Sequence, residues 1–149
     1  MLGRVKKILN KAQNLDYKKI WFESMNEQVQ DEIIRLNTED QLGDKGIDAL
    51  DRSLGGYAPF TVRVRSDLGL QTDHIDFKVT GEYWESWDTQ VRRDVLVITV
   101  DDERYNELVN DLGFSPDHVG LTAGNWDKVI REYIKPNWVE SVKTQIISA

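Results

Sequence analysis

The chain contains no cysteine, which excludes disulfide bonds, thiolate chemistry and cysteine-based zinc sites. It also has no apolar run long enough to span a membrane. Lys11 and Asn14 interrupt the basic N-terminal segment before the apolar region of a signal peptide accumulates. We therefore expect a soluble protein that is made inside the cell.

Basic residues are outnumbered by acidic ones: the chain has 19 Lys and Arg residues against 26 Asp and Glu residues, and its net charge is -7. Proteins that bind nucleic acid without sequence preference usually carry a surplus of basic side chains, so this class is disfavoured. The 149 residues, 40% of them hydrophobic, suffice for one folded core. We predict a single domain over residues 1–149.

The first 42 residues are predicted to be helical, because their apolar residues recur at steps of three and four. A short helix is indicated by Val5, Ile8, Leu9, Ala12 and Leu15. A longer helix, capped by Asp16, is indicated by Trp21, Met25, Val29, Ile33 and Leu36. Gly43 and Gly46 are expected to end it.

Residues 43–74 are predicted to form an extended loop region, because turn-forming residues replace any sustained apolar period. Within it, Val62 and Val64 alternate with Arg63 and Arg65. That pattern fits a short strand, and a helical turn after Pro59 fits about as well.

Residues 75–100 are predicted to be rich in β-structure and residues 101–149 helical. Strands are indicated by the alternation of Ile75, Phe77 and Val79 and by a hairpin of residues 86–91 and 95–100. Helices are predicted after Asp101-Asp102, ending at Gly113, and from Asn125 to Ile147, with a kink or split at Pro136. The predicted fold class is α+β: a long N-terminal helix, a small antiparallel β-sheet in the middle and C-terminal helices.

Acidic and histidine side chains offer few candidates for chemistry. Asp73, His74 and Asp76 lie close together in sequence and, with Asp101, suit a metal-dependent hydrolase or nuclease in residue type alone. Loop and helix-cap positions explain the same residues more simply. We therefore assign no catalytic, cofactor-binding or metal-binding residue, and keep this enzyme as an alternative.

Several short motifs follow one another in a fixed order along the chain. They are Asn37-Thr38, Gly56-Tyr57-Ala58-Pro59 leading to Thr61, Arg63 and Arg65, Lys78-Val79-Thr80-Gly81, a hairpin from Tyr83 to Val100, and Gly120-Leu121-Thr122. This order resembles the tail-completion, or virion-morphogenesis, family of tailed bacteriophages, in the versions carried by phages and prophages of gut Bacteroidetes. The family usually has Asp before the Thr-Gly step, where this chain has Val79.

The resemblance implies a structural virion protein at the head–tail junction, a tail-completion or neck-ring subunit that acts by assembly and needs no cofactor. The implied partners are further copies of itself and neighbouring connector, terminator or tail-tube proteins, with DNA as passing cargo and no membrane. The implied location is the virion, after synthesis in the host bacterial cytoplasm. The candidate interface comprises Tyr57, Pro59, Phe60, Thr61, Arg63, Arg65, Thr80, Gly81, Tyr83 and Trp84.

A third interpretation concerns the aromatic residues before the hairpin. If part of the group Tyr83, Trp84 and Trp87 is exposed, it suits a cytoplasmic adaptor with a discrete partner, although at least one Trp is expected in the core.

Overall fold

The computed structural model describes residues 1–148 and confirms the predicted α+β fold class. The N-terminal part contains helices α1 (Leu2–Asn14), α2 (Tyr17–Glu23) and α3 (Glu27–Arg35), and α3 continues into a π-helical segment, Leu36–Lys45. The middle contains α4 (Pro59–Asp67), α5 (Glu82–Glu85), β1 (Trp87–Arg92) and β2 (Val95–Val100). The C-terminal part contains α6 (Arg104–Asn106), a π-helical turn (Glu107–Asp111), a 3₁₀ turn (Pro116–His118), α7 (Ala123–Val129), a second π-helical turn (Ile130–Ile134) and α8 (Lys135–Ile147).

The long N-terminal helix spans residues 27–45. Asp16 caps α2, as predicted, by accepting a hydrogen bond from the Lys19 amide. The predicted helix is interrupted before α3, however, because Asn26 starts a new cap by accepting from the Val29 amide. The long helix ends at Gly46, where φ is +63°, whereas Gly43 lies within the wider π-helical turns.

The predicted hairpin is confirmed. β1 and β2 pair antiparallel from Trp87 opposite Val100 to Arg92 opposite Val95, which leaves a two-residue turn. Arg93 occupies that turn with a φ of 57°. The Lys18 ammonium lies 2.6 Å from the Asp94 carboxylate and ties the turn to α2.

Residues 75–79 do not form the predicted strand. Phe77 has a φ of 59°, which breaks the extended backbone and turns its ring into the core. The Asp76 carboxylate then accepts a hydrogen bond from the Lys78 amide, as in a turn. The alternation of apolar residues therefore arises here from a loop that is half buried.

The predicted extended loop region, residues 43–74, contains helix α4. Pro59 stands in its first turn, where the missing amide hydrogen has no intrahelical acceptor and the fixed φ suits a helix. Val62 and Val64 are consequently helical. The predicted strand is therefore wrong, and the alternative of a helix after Pro59 is confirmed. Residues 43–45 belong to the end of the long helix, and the rest of the region is irregular apart from a bridge between Ile47 and Ser53.

The buried apolar residues form two clusters. One lies where α3 meets the hairpin and α7 and contains Met25, Val29, Ile33, Leu36, Leu121, Val129 and Ile134. The other is more aromatic and contains Leu42, Phe77, Tyr83, Trp87 and Leu108. The long helix contributes to both clusters and thereby joins the two halves of the core.

The C-terminal chain stays helical across Pro136. A proline ring clashes with the carbonyl four residues earlier in a regular helix. The wider turn at Ile130–Ile134 precedes α8, and Pro136 stands in the first turn of α8. The predicted disruption thus takes the form of a π-helical turn; Ala149, the last residue of that predicted part, lies outside the described residues.

No helix within residues 1–148 combines the length and the apolar character needed to cross a membrane.

Alanine substitutions at Gly46, which follows the long helix, and at Gly69, which follows α4, compare a crowded glycine with an uncrowded one. Both have a positive φ, but a Cβ at Gly46 would lie 2.8 Å from His74 Cβ, whereas a Cβ at Gly69 would meet no atom within 4 Å. We expect Gly69→Ala to lower the free energy of unfolding by about 1–2 kcal/mol, through backbone strain alone. Gly46→Ala should lower it by about 1–3 kcal/mol more, because the clash adds to that strain. Urea denaturation of both variants measures the difference, and equal losses would contradict this account.

Candidate docking groove

An apolar groove of about 510 Å³ opens between α4 and residues 104–114. Its apolar lining comprises Val64, Leu68, Leu70, Ile75, Phe77, Val79, Leu108, Leu112 and Phe114. Tyr57, Thr61, Arg65, Arg104 and Glu107 complete the wall. Concave apolar surface with a few polar groups is the usual character of a binding site.

The rims of this groove carry apolar side chains that water reaches. Leu68 on one side is 61% exposed and Leu112 on the other is 60% exposed. Val64 and Val79 are exposed as well, and Phe60 lies one turn before Val64 on α4. A contiguous exposed apolar surface commonly marks a site that contacts a protein, a membrane or a ligand.

The floor of the groove is rigid because it is part of the aromatic core. Phe77 packs edge-to-face on Phe114 with ring centroids 4.9 Å apart, and on Tyr83 with centroids 6.5 Å apart. Phe77 and Leu108 are both buried. A partner side chain entering the groove would therefore meet a surface that is already packed.

One wall of the groove is anchored by a buried ion pair between Arg65 of α4 and Asp76. The Arg65 guanidinium donates to the Asp76 carboxylate at 3.1 Å, to the Gln71 carbonyl at 2.9 Å and to the Lys78 carbonyl at 2.7 Å. It also lies 4.3 Å from the centre of the Tyr57 ring. These bonds fix α4 to residues 71–78, the loop that faces it.

Two further side chains bond the Asp76 carboxylate: Tyr57, which lies just before α4, and Gln71, which lies in the facing loop. The Tyr57 hydroxyl donates to it at 2.8 Å and the Gln71 amide nitrogen at 2.7 Å. Burial raises the pKa of Tyr57 to about 12, so the phenol stays a donor at neutral pH. The buried carboxylate is thus surrounded by donors, as a buried charge requires.

A second polar network joins the long helix to the loop before α7. The Asn37 side-chain nitrogen Nδ2 donates to the His118 backbone carbonyl at 3.0 Å, and its side-chain oxygen Oδ1 accepts from the Gly120 backbone N–H at 2.7 Å. The Gln41 side chain likewise donates from Nε2 to the Gly120 backbone carbonyl and accepts at Oε1 from the Thr122 backbone N–H. The motifs Asn37-Thr38 and Gly120-Leu121-Thr122, about 80 residues apart in sequence, therefore lie in direct contact.

His118 is buried among the aromatic rings and is held at both ring nitrogens. Nδ1 lies 2.7 Å from the Ser115 carbonyl, which can only accept, so Nδ1 carries the proton. Nε2 then accepts from the Tyr83 hydroxyl at 2.7 Å. Burial lowers the pKa of His118 and raises that of Tyr83, so both side chains favour their neutral forms.

The predicted interface residues divide between the groove and its supports. Tyr57, Thr61 and Arg65 line the groove, while Pro59, Phe60 and Arg63 are exposed on α4. Arg65 is buried and supports the groove wall from inside.

The second half of the predicted interface lies before the hairpin. Thr80 is exposed and Gly81 is half buried, whereas Tyr83 is buried and bonded to His118. Trp84 is half buried and donates from Nε1 to the Asp76 carbonyl at 3.0 Å. Trp87 is buried, so the expectation of at least one core tryptophan is confirmed. These aromatic residues mainly hold the loop that carries Asp76.

Sequence reasoning missed the apolar rims, Leu68, Leu70 and Leu112. Their signal was weak, since Leu68 and Leu70 merely flank Gly69 in a segment without a period. Only the meeting of α4 with residues 104–114 turns these separate side chains into one surface.

The residues that suggested a hydrolase mostly make structural bonds. Asp76 pairs with Arg65, and His74 Nε2 lies 2.7 Å from the Gly43 carbonyl. Asp102, beside Asp101, accepts from the Arg104 amide at the start of α6. Across residues 1–148, no group of three or more His, Asp or Glu side chains is placed to hold a metal ion.

Removing Arg65 should be far more destabilising than removing an arginine from an exposed pair. Arg65→Ala leaves the Asp76 carboxylate buried without its cation, and we expect a loss of about 3–5 kcal/mol in the free energy of unfolding. Arg131→Ala removes a helical pair with Asp127 in which both side chains are more than 60% exposed, and should cost about 0.5 kcal/mol or less. Adding Asp76→Asn to Arg65→Ala should recover part of the loss. Equal losses in the two arginine variants, measured by urea denaturation, would refute the proposed anchor.

Stability should fall in mild acid because His118 favours its neutral form. The folded-state pKa of His118 is lowered. Above the unfolded pKa of about 6.5 the imidazole is neutral in both states, so its protonation takes nothing from the free energy of unfolding. As the pH drops below that value the unfolded chain binds the proton first, and the free energy of unfolding falls by up to about 1.4 kcal/mol per pH unit. Urea denaturation between pH 8 and pH 5 measures the slope. His118→Gln should flatten this pH dependence. Because His74 and the carboxylates are the same in both proteins, the difference between the two slopes belongs to His118, and an unchanged slope would contradict the assignment.

Comparison of the chain with known protein families, with curated proteins and with solved structures gave no match.

Proposed function

We propose that the protein is a structural component of a tailed-phage virion, a tail-completion or neck-ring subunit at the head–tail junction that acts by assembly. The observation that carries the proposal is the exposed apolar groove, to whose wall the Gly-Tyr-x-Pro and Thr-x-Arg-x-Arg motifs contribute Tyr57, Thr61 and Arg65. The expected location is the virion, and the expected partners are other copies of the chain and connector, terminator or tail-tube proteins.

The motif residues have a clear physical task in this proposal. Pro59 starts α4, and Tyr57 and Arg65 fasten it to the loop that carries Asp76. Phe60 and Val64, one turn apart on α4, remain exposed and can contact a partner. Because α4 is already held in place before a partner binds, less conformational entropy is lost on assembly.

A ring needs two different faces on each subunit, because head-to-tail contacts repeat around a closed axis. The groove supplies one concave, apolar face. The chain's net charge of -7 also suits a conduit for DNA, since a negative lining repels phosphate and would let the duplex slide.

An adaptor protein is the second candidate, because the same groove could receive one discrete partner. The two functions differ in the assembly that they produce: a ring of identical subunits in the first, and a complex of fixed small stoichiometry in the second.

Leu68→Asp should abolish assembly, because it places a carboxylate on the apolar rim of the groove. Leu50→Asp is the matched control, since Leu50 is also 61% exposed but does not line the groove. Light scattering across a concentration series and negative-stain microscopy would measure the mass and shape, for the protein alone and with connector and tail proteins. We expect closed rings from the wild type and from Leu50→Asp, and monomers from Leu68→Asp.

A wild-type protein that stays monomeric and ignores the connector and tail proteins would refute the assembly proposal. A single small complex with one partner would favour the adaptor. Loss of rings in both variants would show that added negative charge, rather than the groove, decides the result.

A further inference from the structure

Helix α1 is attached loosely to the rest of the fold. None of its residues is buried, and it packs on α8. Ile8 lines that contact with Ile146 and Ile147, and the Lys11 ammonium donates to the Gln145 carbonyl at 3.0 Å. So shallow a contact leaves most of the helix surface available.

A second apolar stripe on α1 faces water. Leu2, Val5 and Leu9 are 79%, 47% and 55% exposed, and their spacing of three and four places them on one side of the helix. Ile8 and Ala12, on the neighbouring side, are half buried. An amphipathic helix with one apolar side covered and another exposed is suited to a further contact.

The charge of α1 is opposite to that of the remaining chain. Residues 1–14 contain Arg4, Lys6, Lys7 and Lys11 and no acidic residue, which leaves 15 basic and 26 acidic residues in the rest of the chain. Attraction is therefore expected between α1 and the body of another copy.

The groove offers apolar and acidic groups in the same place. Glu107 lies in its wall beside Arg104, and Arg65, the other basic residue of the lining, is paired with Asp76. The acidic excess comes from the segment that runs into this wall, because residues 101–111 contain five acidic residues and one basic residue, Arg104. The exposed Asp67 and Asp111 directly precede the rim residues Leu68 and Leu112. Apolar side chains entering between these carboxylates would bring basic residues of the same helix close to them. This pairing of shape and charge favours a second copy over an anionic membrane surface as the occupant.

We propose that the exposed stripe of α1 in one copy docks into the groove of the next copy, so that each subunit donates one helix and receives one. The contact is heterologous and builds a chain or a ring of subunits. This inference rests on the proposed assembly function and names the two faces that it uses.

Complementary variants test this contact. Val5→Gln/Leu9→Gln removes the apolar stripe and keeps the groove, while Leu68→Gln/Leu112→Gln alters the groove and keeps the stripe. Each variant alone should be monomeric by sedimentation velocity. Mixed together they should form a 1:1 dimer and nothing larger, because one good helix meets one good groove and no second contact can follow. Leu50→Gln is the control and should assemble like the wild type; circular dichroism confirms that every variant is folded.

Other outcomes separate the inference from the function on which it rests. Rings formed by Val5→Gln/Leu9→Gln would overturn the helix contact and leave the assembly function standing. A monomeric wild type would overturn the inference, and if that protein also ignored connector and tail proteins the function would fail with it. Co-sedimentation with phosphatidylserine vesicles that depends on Val5 and Leu9, without a mixed dimer, would instead make α1 a membrane-binding helix.

Discussion

The architecture of the candidate site depends on one buried ion pair, Arg65 with Asp76. Such a pair contributes little net stability compared with apolar residues of equal size, yet removing one partner is expensive because it leaves a charge in a poorly polarisable interior. Its value lies in geometry: the guanidinium also holds the Gln71 and Lys78 carbonyls, so α4 can occupy one position over the loop. The apolar groove exists because that position is fixed.

The sequence allowed the locally determined elements to be predicted. Val29 and Ile33 of α3 and the β-branched run of β2 repeat with the period of their own structure, and neighbouring residues decide that period. The turn at Arg93 and Asp94 and the cap at Asp16 are similarly local. The fold class followed from these segments.

The loop that carries Asp76 and the groove could not be predicted from local pattern. Phe77 alternates with its neighbours as in a strand, but its backbone has a positive φ and its ring packs on Phe114 and His118, which are distant in sequence. Arg65 was predicted to belong to an interface, and nothing near it in the sequence identifies Asp76 as its buried partner. The groove likewise depends on α4 meeting residues 104–114, a tertiary contact without a sequence period.

The distribution of charge favours head-to-tail contact over symmetric pairing. Two grooves facing each other would bring together their segments 101–111, each with five acidic residues and one basic residue, and two α1 helices would bring together their lysine and arginine side chains. Helix against groove joins opposite charges as well as apolar surfaces. In the proposed contact, repulsion between like faces would select the same orientation that the apolar surfaces require, and the rotation between successive copies would decide whether the chain of contacts closes into a ring.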